Sequence, residues 1–171
     1  AHRGPDGAGV WTAPGIGLGH RRLSIIDLGG GAQPMLTEDE RLALSFNGEI
    51  YNFQELRKEL EALGHQFRTH SDSEVILEAY RAWGPKCVER LHGMFVFALY
   101  DQANRQLLLA RDRLGVKPLY HARLADGSII FGSELKALLE HPALRREPDL
   151  AMVDDFLAFG YVPDHGCIVA G

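Results

Sequence analysis

The sequence predicts an α+β fold in which mainly antiparallel sheets are layered against helices. Two observations carry this reading. The apolar runs 94–100 and 107–110 are separated only by the polar turn 101–105, and so short a connection joins antiparallel neighbours. Segments 52–64 and 71–85 instead show helical apolar spacing between start and stop signals, which groups helices to the outside of the sheets.

In chain order, residues 17–27 read as a strand, with Leu18, Leu23, Ile25 and Ile26 apolar among polar neighbours. Gly29-Gly30-Gly31 breaks it, and Gln33-Pro34 leads to a buried strand at 42–46. A loop at Asn47-Gly48-Glu49 then feeds a helix. Asn52 is its cap, Glu55 completes a capping box and Gly64 ends it, with Phe53, Leu56, Leu60 and Leu63 on one face. Ser71-Asp72-Ser73-Glu74 spells a second capping box. Val75, Ile76, Ala79 and Tyr80 supply the buried stripe that follows, and Gly84-Pro85 stops it. Beyond the hairpin, the charged turn 111–118 precedes a strand near Leu119-Tyr120. Asp126-Gly127 turns into a strand at 129–131, Ser133 caps a helix through Leu139, and a last helix spans 150–159.

At 171 residues and 46% hydrophobic content, the chain suits one domain with a sizeable core. A net charge of -5, with arginines interleaved among acids, argues against a nucleic-acid partner. No apolar stretch is long enough for a bilayer helix. Cys87 and Cys167 are too few and too isolated for a disulfide framework or a zinc site, so a reducing, cytoplasmic setting is expected. The chain does not begin with methionine and opens on a dense turn, His2-Arg3-Gly4-Pro5-Asp6-Gly7, so it reads as an excerpt of a longer protein.

The segment Asn47-Gly48-Glu49-Ile50-Tyr51-Asn52 carries the most chemistry. An amide side chain, a glycine backbone and a carboxylate delivered together can hold an oxyanion on one side and an ammonium group on the other. Asn-Gly also spells a plain tight turn, because both residues tolerate positive φ. Asp72 has a structural use too, since acids are favoured in any helix's first turn. Arg21 and Arg22 alternate along a strand, so only one of them faces a given side. Gly15-Ile16-Gly17-Leu18-Gly19 has the wrong spacing and context for a nucleotide loop. The eight histidines show no paired helical spacing, so no metal site is expected. Cys87 falls in a short predicted helix and reads as a small buried hydrophobe, Cys167 lies in the C-terminal tail, and neither is expected to act as a nucleophile.

Several blocks occur in order: His2 to Gly7, Gly19-His20-Arg21-Arg22-Leu23-Ser24-Ile25-Ile26-Asp27, Gly31-Ala32-Gln33-Pro34, Asn47 to Asn52 and Ser71 to Ile76. The charged turn from Ala110 to Tyr120 and Ser133-Glu134-Leu135-Lys136-Ala137-Leu138 complete the set. Together they resemble the glutaminase domain of glutamine-hydrolysing asparagine synthetases, a branch of the class II glutamine amidotransferases, over nearly the whole chain. The resemblance implies an N-terminal-nucleophile hydrolase fold, a four-layer αββα sandwich of two mainly antiparallel sheets. In that family a cysteine at the chain's own N-terminus attacks the glutamine amide and its α-amine acts as base, so no separate histidine is needed.

Carried over by position, the Asn47 side-chain amide and the Gly48 backbone N–H resemble the oxyanion hole. Arg22 would clamp the glutamine α-carboxylate, a task suited to its planar fork, and the backbone of Leu23, Ser24, Ile25 and Ile26 would line the pocket. Glu49 and Asp72 would bind the α-ammonium group, with Arg3 and Asp6 in support. The family's cysteine lies before the His2 block, and Ala1 is no substitute, so the fragment is expected to be an inactive, partial type-2 amidotransferase domain over 1–171. A synthetase domain using ATP and magnesium would follow in the parent, while this domain itself needs no cofactor. L-Glutamine, the linked synthetase domain and a homodimer are the expected partners. Two rivals share the fold: an amidotransferase serving another acceptor, such as a polysaccharide or secondary metabolite, and a non-catalytic binding or assembly module.

Overall fold

The computed structural model describes residues 4, 7–22, 32–163 and 166–170, with only the backbone of Arg22. Two compact units divide the chain, one ending at Lys117 and the other beginning at Pro118.

The first unit is organised by one sheet. Strands β3 (Met35–Leu36), β4 (Leu42–Ile50), β5 (Gly93–Asp101) and β6 (Gln106–Arg111) pair antiparallel in that order. Register runs from Leu42 opposite Asp101 to Ile50 opposite Gly93. Alternation then separates two faces. Leu42, Leu44, Phe46 and Ile50 join Phe95, Phe97 and Leu99 on one face, in one core cluster with Leu56 and Leu60 of α1 (Phe53–Ala62) and Val75, Ile76 and Ala79 of α2 (Asp72–Trp83). Ala43, Ser45, Asn47 and Glu49 lie on the other face. There the hairpin of β1 (Gly7–Ala13) and β2 (Ile16–Arg22) is layered: His20 Nδ1 is 3.1 Å from Ser45 Oγ, and the Trp11 and Tyr100 rings are 6.0 Å apart. Helices, central sheet and hairpin therefore form successive layers, and the antiparallel α+β expectation holds.

Local signals place most elements correctly and misassign several side chains. Ser71 Oγ accepts from the Ser73 N–H and caps α2, and Gly84 at φ 59° ends it. The Glu74 carboxylate does not close the predicted box. It accepts from the N–H groups of Arg68 and Thr69 and from the Thr69 hydroxyl, tying down the loop before the helix. Asn52 sits at the cap of α1 without capping it, because its amide bridges Arg90 O and the His92 N–H. Leu63, expected on the apolar face, is exposed past the helix end. Strand β2 is described only to Arg22, and the remainder of the predicted strand to residue 27 lies outside the described residues.

In the second unit β7 (Tyr120–Arg123) pairs antiparallel with β8 (Ile129–Gly132) across the predicted Asp126-Gly127 turn. Helix α3 (Leu135–Leu139) has Glu134, not the predicted Ser133, at its N-cap position and no side-chain cap, and α4 (Leu150–Phe159) is capped by Asp149, whose Oδ1 accepts from the Ala151 and Met152 N–H groups.

Candidate functional site

The predicted loop at 47–49 is not a loop. Strand β4 continues to Ile50, with Asn47 opposite Val96 and Glu49 opposite Met94. Two glycines allow this. Gly48 has φ +151°, and a Cβ there would lie 2.1 Å from Met94 O; a Cβ on Gly93 would lie 2.1 Å from Glu49 O. With any larger residue at either position the strands could not close here.

Strand β3 covers only the start of β4, since its pairing ends at Leu44. Past that point the free edge of β4 is finished by side chains. The Phe46 N–H donates to Gln33 Oε1 at 3.2 Å, and the Ile50 N–H donates to Asp72 Oδ2 at 3.0 Å. Ladder alternation sends the Gly48 N–H, midway between them, to the same edge, and no described residue accepts from it. Asn47 is exposed, with its side-chain amide bonded to no described residue. An amide and a backbone N–H are thus offered from adjacent residues.

Asp72, the first residue of α2, is buried. Burial pushes its carboxyl above the ordinary carboxylate range, against the lowering effect of N–H groups from Ile50, Ser73 and its own residue, and the Glu49 charge pushes it further up. Glu49 and Asp72 are therefore electrostatic neighbours, and neither is ion-paired to a described residue. Two carboxylates in that position attract a cation.

The family described as "Glutamine amidotransferase domain" matches residues 1–171. The chain belongs to that amidotransferase family. It is 42% identical over 160 residues to asparagine synthetase [glutamine-hydrolyzing] 3 of Bacillus subtilis (strain 168), covering 92% of this chain and 26% of that protein. Asparagine synthetase B [glutamine-hydrolyzing] of Escherichia coli (strain K12) is 46% identical over 138 residues, covering 81% of this chain and 25% of that protein. The chain spans about a quarter of the length of these curated relatives. Among solved structures, the glutamine phosphoribosylpyrophosphate amidotransferase from B. subtilis, complexed with ADP and GMP, superposes with a TM-score of 0.58 at 25% identity, over 71% of this chain and 28% of that one.

Within the amidotransferase domain, the structure brings Asn47, Gly48, Glu49 and Asp72 to one end of β4. Arg21 is exposed, paired with Ala8, and the Arg22 backbone pairs with Gly7. The Arg22 side chain, Leu23, Ser24, Ile25, Ile26, Arg3 and Asp6 lie outside the described residues. Cys87 is buried, and burial pushes its thiol up to about 11, which makes it a poor nucleophile.

Sequence reasoning assigned no role to Gln33 or Ser73, whose side chains meet at 2.9 Å beside the site. A polar residue just before a proline at an edge strand was the available signal. Elsewhere in the unit, a groove of about 280 Å³ is lined in part by Leu36, His65, Arg68, Glu78 and Arg81. Its polar side chains are already partnered: His65 Nδ1 is 2.7 Å from Glu78 Oε2, and Arg81 Nη2 is 2.5 Å from Oδ1 of Asp39, outside the groove. No helix among the described residues is long and apolar enough to cross a membrane.

Proposed function

We propose that, within its full-length protein, this domain binds L-glutamine for hydrolysis of the side-chain amide to L-glutamate and ammonia, the attacking nucleophile coming from outside the residues of this chain. Asn47 and Gly48 hold the oxyanion, Glu49 and Asp72 hold the α-ammonium group, and Arg22 holds the α-carboxylate against the backbone of residues 23–26. The observation that best supports this is the gap at Gly48. Its N–H lacks a described acceptor while the equivalent groups at Phe46 and Ile50, two residues to either side, are taken by Gln33 and Asp72. A donor left open on a fixed strand, beside an exposed amide, costs no reorganisation when charge develops on the attacked carbonyl.

The carboxylate pair supports the other end of the substrate. Burial and the Glu49 charge make an ionised Asp72 unfavourable, and an ammonium group between them relieves both effects. Charges fixed at the two ends of an amino acid orient it and discriminate against molecules lacking either group.

The relatives' names support the wider reading that the full-length protein is an asparagine synthetase, and the two isolated cysteines suit a reducing, cytoplasmic setting for it. A linked domain would pass the ammonia to aspartate activated by ATP with magnesium, and no residue of this chain is assigned to either cofactor. The test is made in that full-length protein. Asn47→Ala should lower glutaminase kcat about 100- to 1000-fold with little change in KM. Arg22→Ala should chiefly raise KM, because the group it grips is present throughout the reaction. Synthesis driven by added ammonia should survive both changes. Equal loss of ammonia-driven synthesis in Asn47→Ala would show that Asn47 supports the fold rather than the oxyanion.

A further inference from the structure

We infer that Gln33 is a positioning residue for this site, fixing strand β4 against the start of helix α2 so that the oxyanion donors and the ammonium-binding carboxylates keep their spacing. The inference rests on the functional reading above. The Gln33 carboxamide bridges the two elements: Oε1 accepts from the Phe46 N–H at 3.2 Å, and Nε2 donates to Ser73 Oγ at 2.9 Å. Phe46 directly precedes Asn47, and Ser73 directly follows Asp72. A second link joins the same two elements at Ile50 N–H and Asp72 Oδ2, 3.0 Å apart. Residues 47–49 are thus held between two struts that reach the same helix end.

The first strut has no substitute in the described structure. Pairing with β3 stops at Leu44, so without Gln33 this edge of β4 would run from there to Ile50 with no attachment. The bridge is itself well founded. Its main chain is backed by β1, where a Cβ on Gly9 would fall 2.0 Å from Gln33 O. A carboxamide suits the place because it offers an acceptor and a donor on one rigid plane. Glutamate there would bring a third carboxylate beside Glu49 and Asp72, close to where the oxyanion forms. Displacing a catalytic donor by about 1 Å can cost about 100-fold in rate.

The test uses the full-length protein, with glutaminase kcat and KM measured separately. Gln33→Leu removes both bonds and should lower kcat about 10- to 100-fold, with a smaller change in KM. Ser73→Ala breaks only the helix end of the strut and should lower kcat about 3- to 10-fold. If Gln33→Leu does not fold, Ser73→Ala carries the test alone. Placed in an Asn47→Ala background, Gln33→Leu should cost at least about 3-fold less than it does alone, because part of what it aligns is already gone. A residue that merely stabilises the fold would lower the thermal midpoint and cost the same factor in both backgrounds, and that result overturns the inference. So does a folded Gln33→Leu or Ser73→Ala protein with unchanged kcat. If Asn47→Ala itself leaves kcat intact, the functional reading falls and takes the inference with it. If Asn47→Ala is slow while Gln33→Leu is not, the inference falls alone.

Discussion

Replacing Asp72 by asparagine should make the domain more stable. Asp72 is buried at the start of α2, and its carboxyl is pushed above the usual range by burial first, with the Glu49 charge adding to it. A group whose native pKa lies above its unfolded value of about 3.9 penalises the fold when ionised, and the penalty is fully present above the native pKa. Asparagine keeps an oxygen to accept the Ile50 N–H, now 3.0 Å from Oδ2, and removes the charge. The expected gain at pH 7 is about 1 kcal/mol, or about 2–4 °C in the thermal midpoint for a chain of this size. Asp72→Ala leaves that N–H without its partner and should lose about 1–3 kcal/mol.

Circular dichroism melts of the three proteins at pH 7 and pH 4 distinguish the two effects. The advantage of Asp72→Asn should shrink as pH falls through the native pKa toward the unfolded value, because wild type then becomes neutral as well. The loss in Asp72→Ala should persist at both pH values. A midpoint lower in Asp72→Asn than in wild type at pH 7, or an advantage indifferent to pH, would refute the electrostatic account. It would also remove the physical reason for a cation to settle beside Glu49.

The buried Asp101 should behave in the opposite way. Arg41 donates to it from Nε at 3.2 Å and from Nη2 at 2.8 Å, and that hydrogen bonding leads the causes holding its carboxyl below the usual range. Its stabilising contribution is complete above about pH 3.9 and is lost as pH falls through the lower native value. Arg41→Ala should cost about 1–2 kcal/mol in urea melts at pH 7, discounted for the exposed guanidinium, and the difference should close in acid; a constant difference down to pH 2 would contradict it. Iodoacetamide at pH 7.5 should label Cys167 and spare Cys87, whose buried thiol is pushed up to about 11, until urea unfolds the chain. Mass spectrometry showing native labelling of Cys87 at the Cys167 rate would overturn that.

Hairpin β5–β6 and the span of α2 were legible in the sequence because their signals are local. Turn residues 102–105 sit between two apolar runs, and Ser71 and Gly84 flank the helix they delimit. The chemical content of Asn47-Gly48-Glu49 was legible as well, since an amide, a glycine and a carboxylate occur together in few structural roles. Their place in a strand was not. It depends on Gly48 and Gly93 meeting across β4 and β5, forty-five residues apart in the chain. Nor could sequence spacing show that Asn52 would bond at Arg90 and His92 instead of capping α1, or that Gln33 would reach both Phe46 and Ser73. A side chain's partner is whichever unsatisfied group the fold brings within about 3 Å, and periodicity reports only neighbours three or four residues away. Residue types along the chain thus set which groups could carry the chemistry. Long-range strand and helix pairing decided which N–H groups were already taken, and it left the one at Gly48 facing the site.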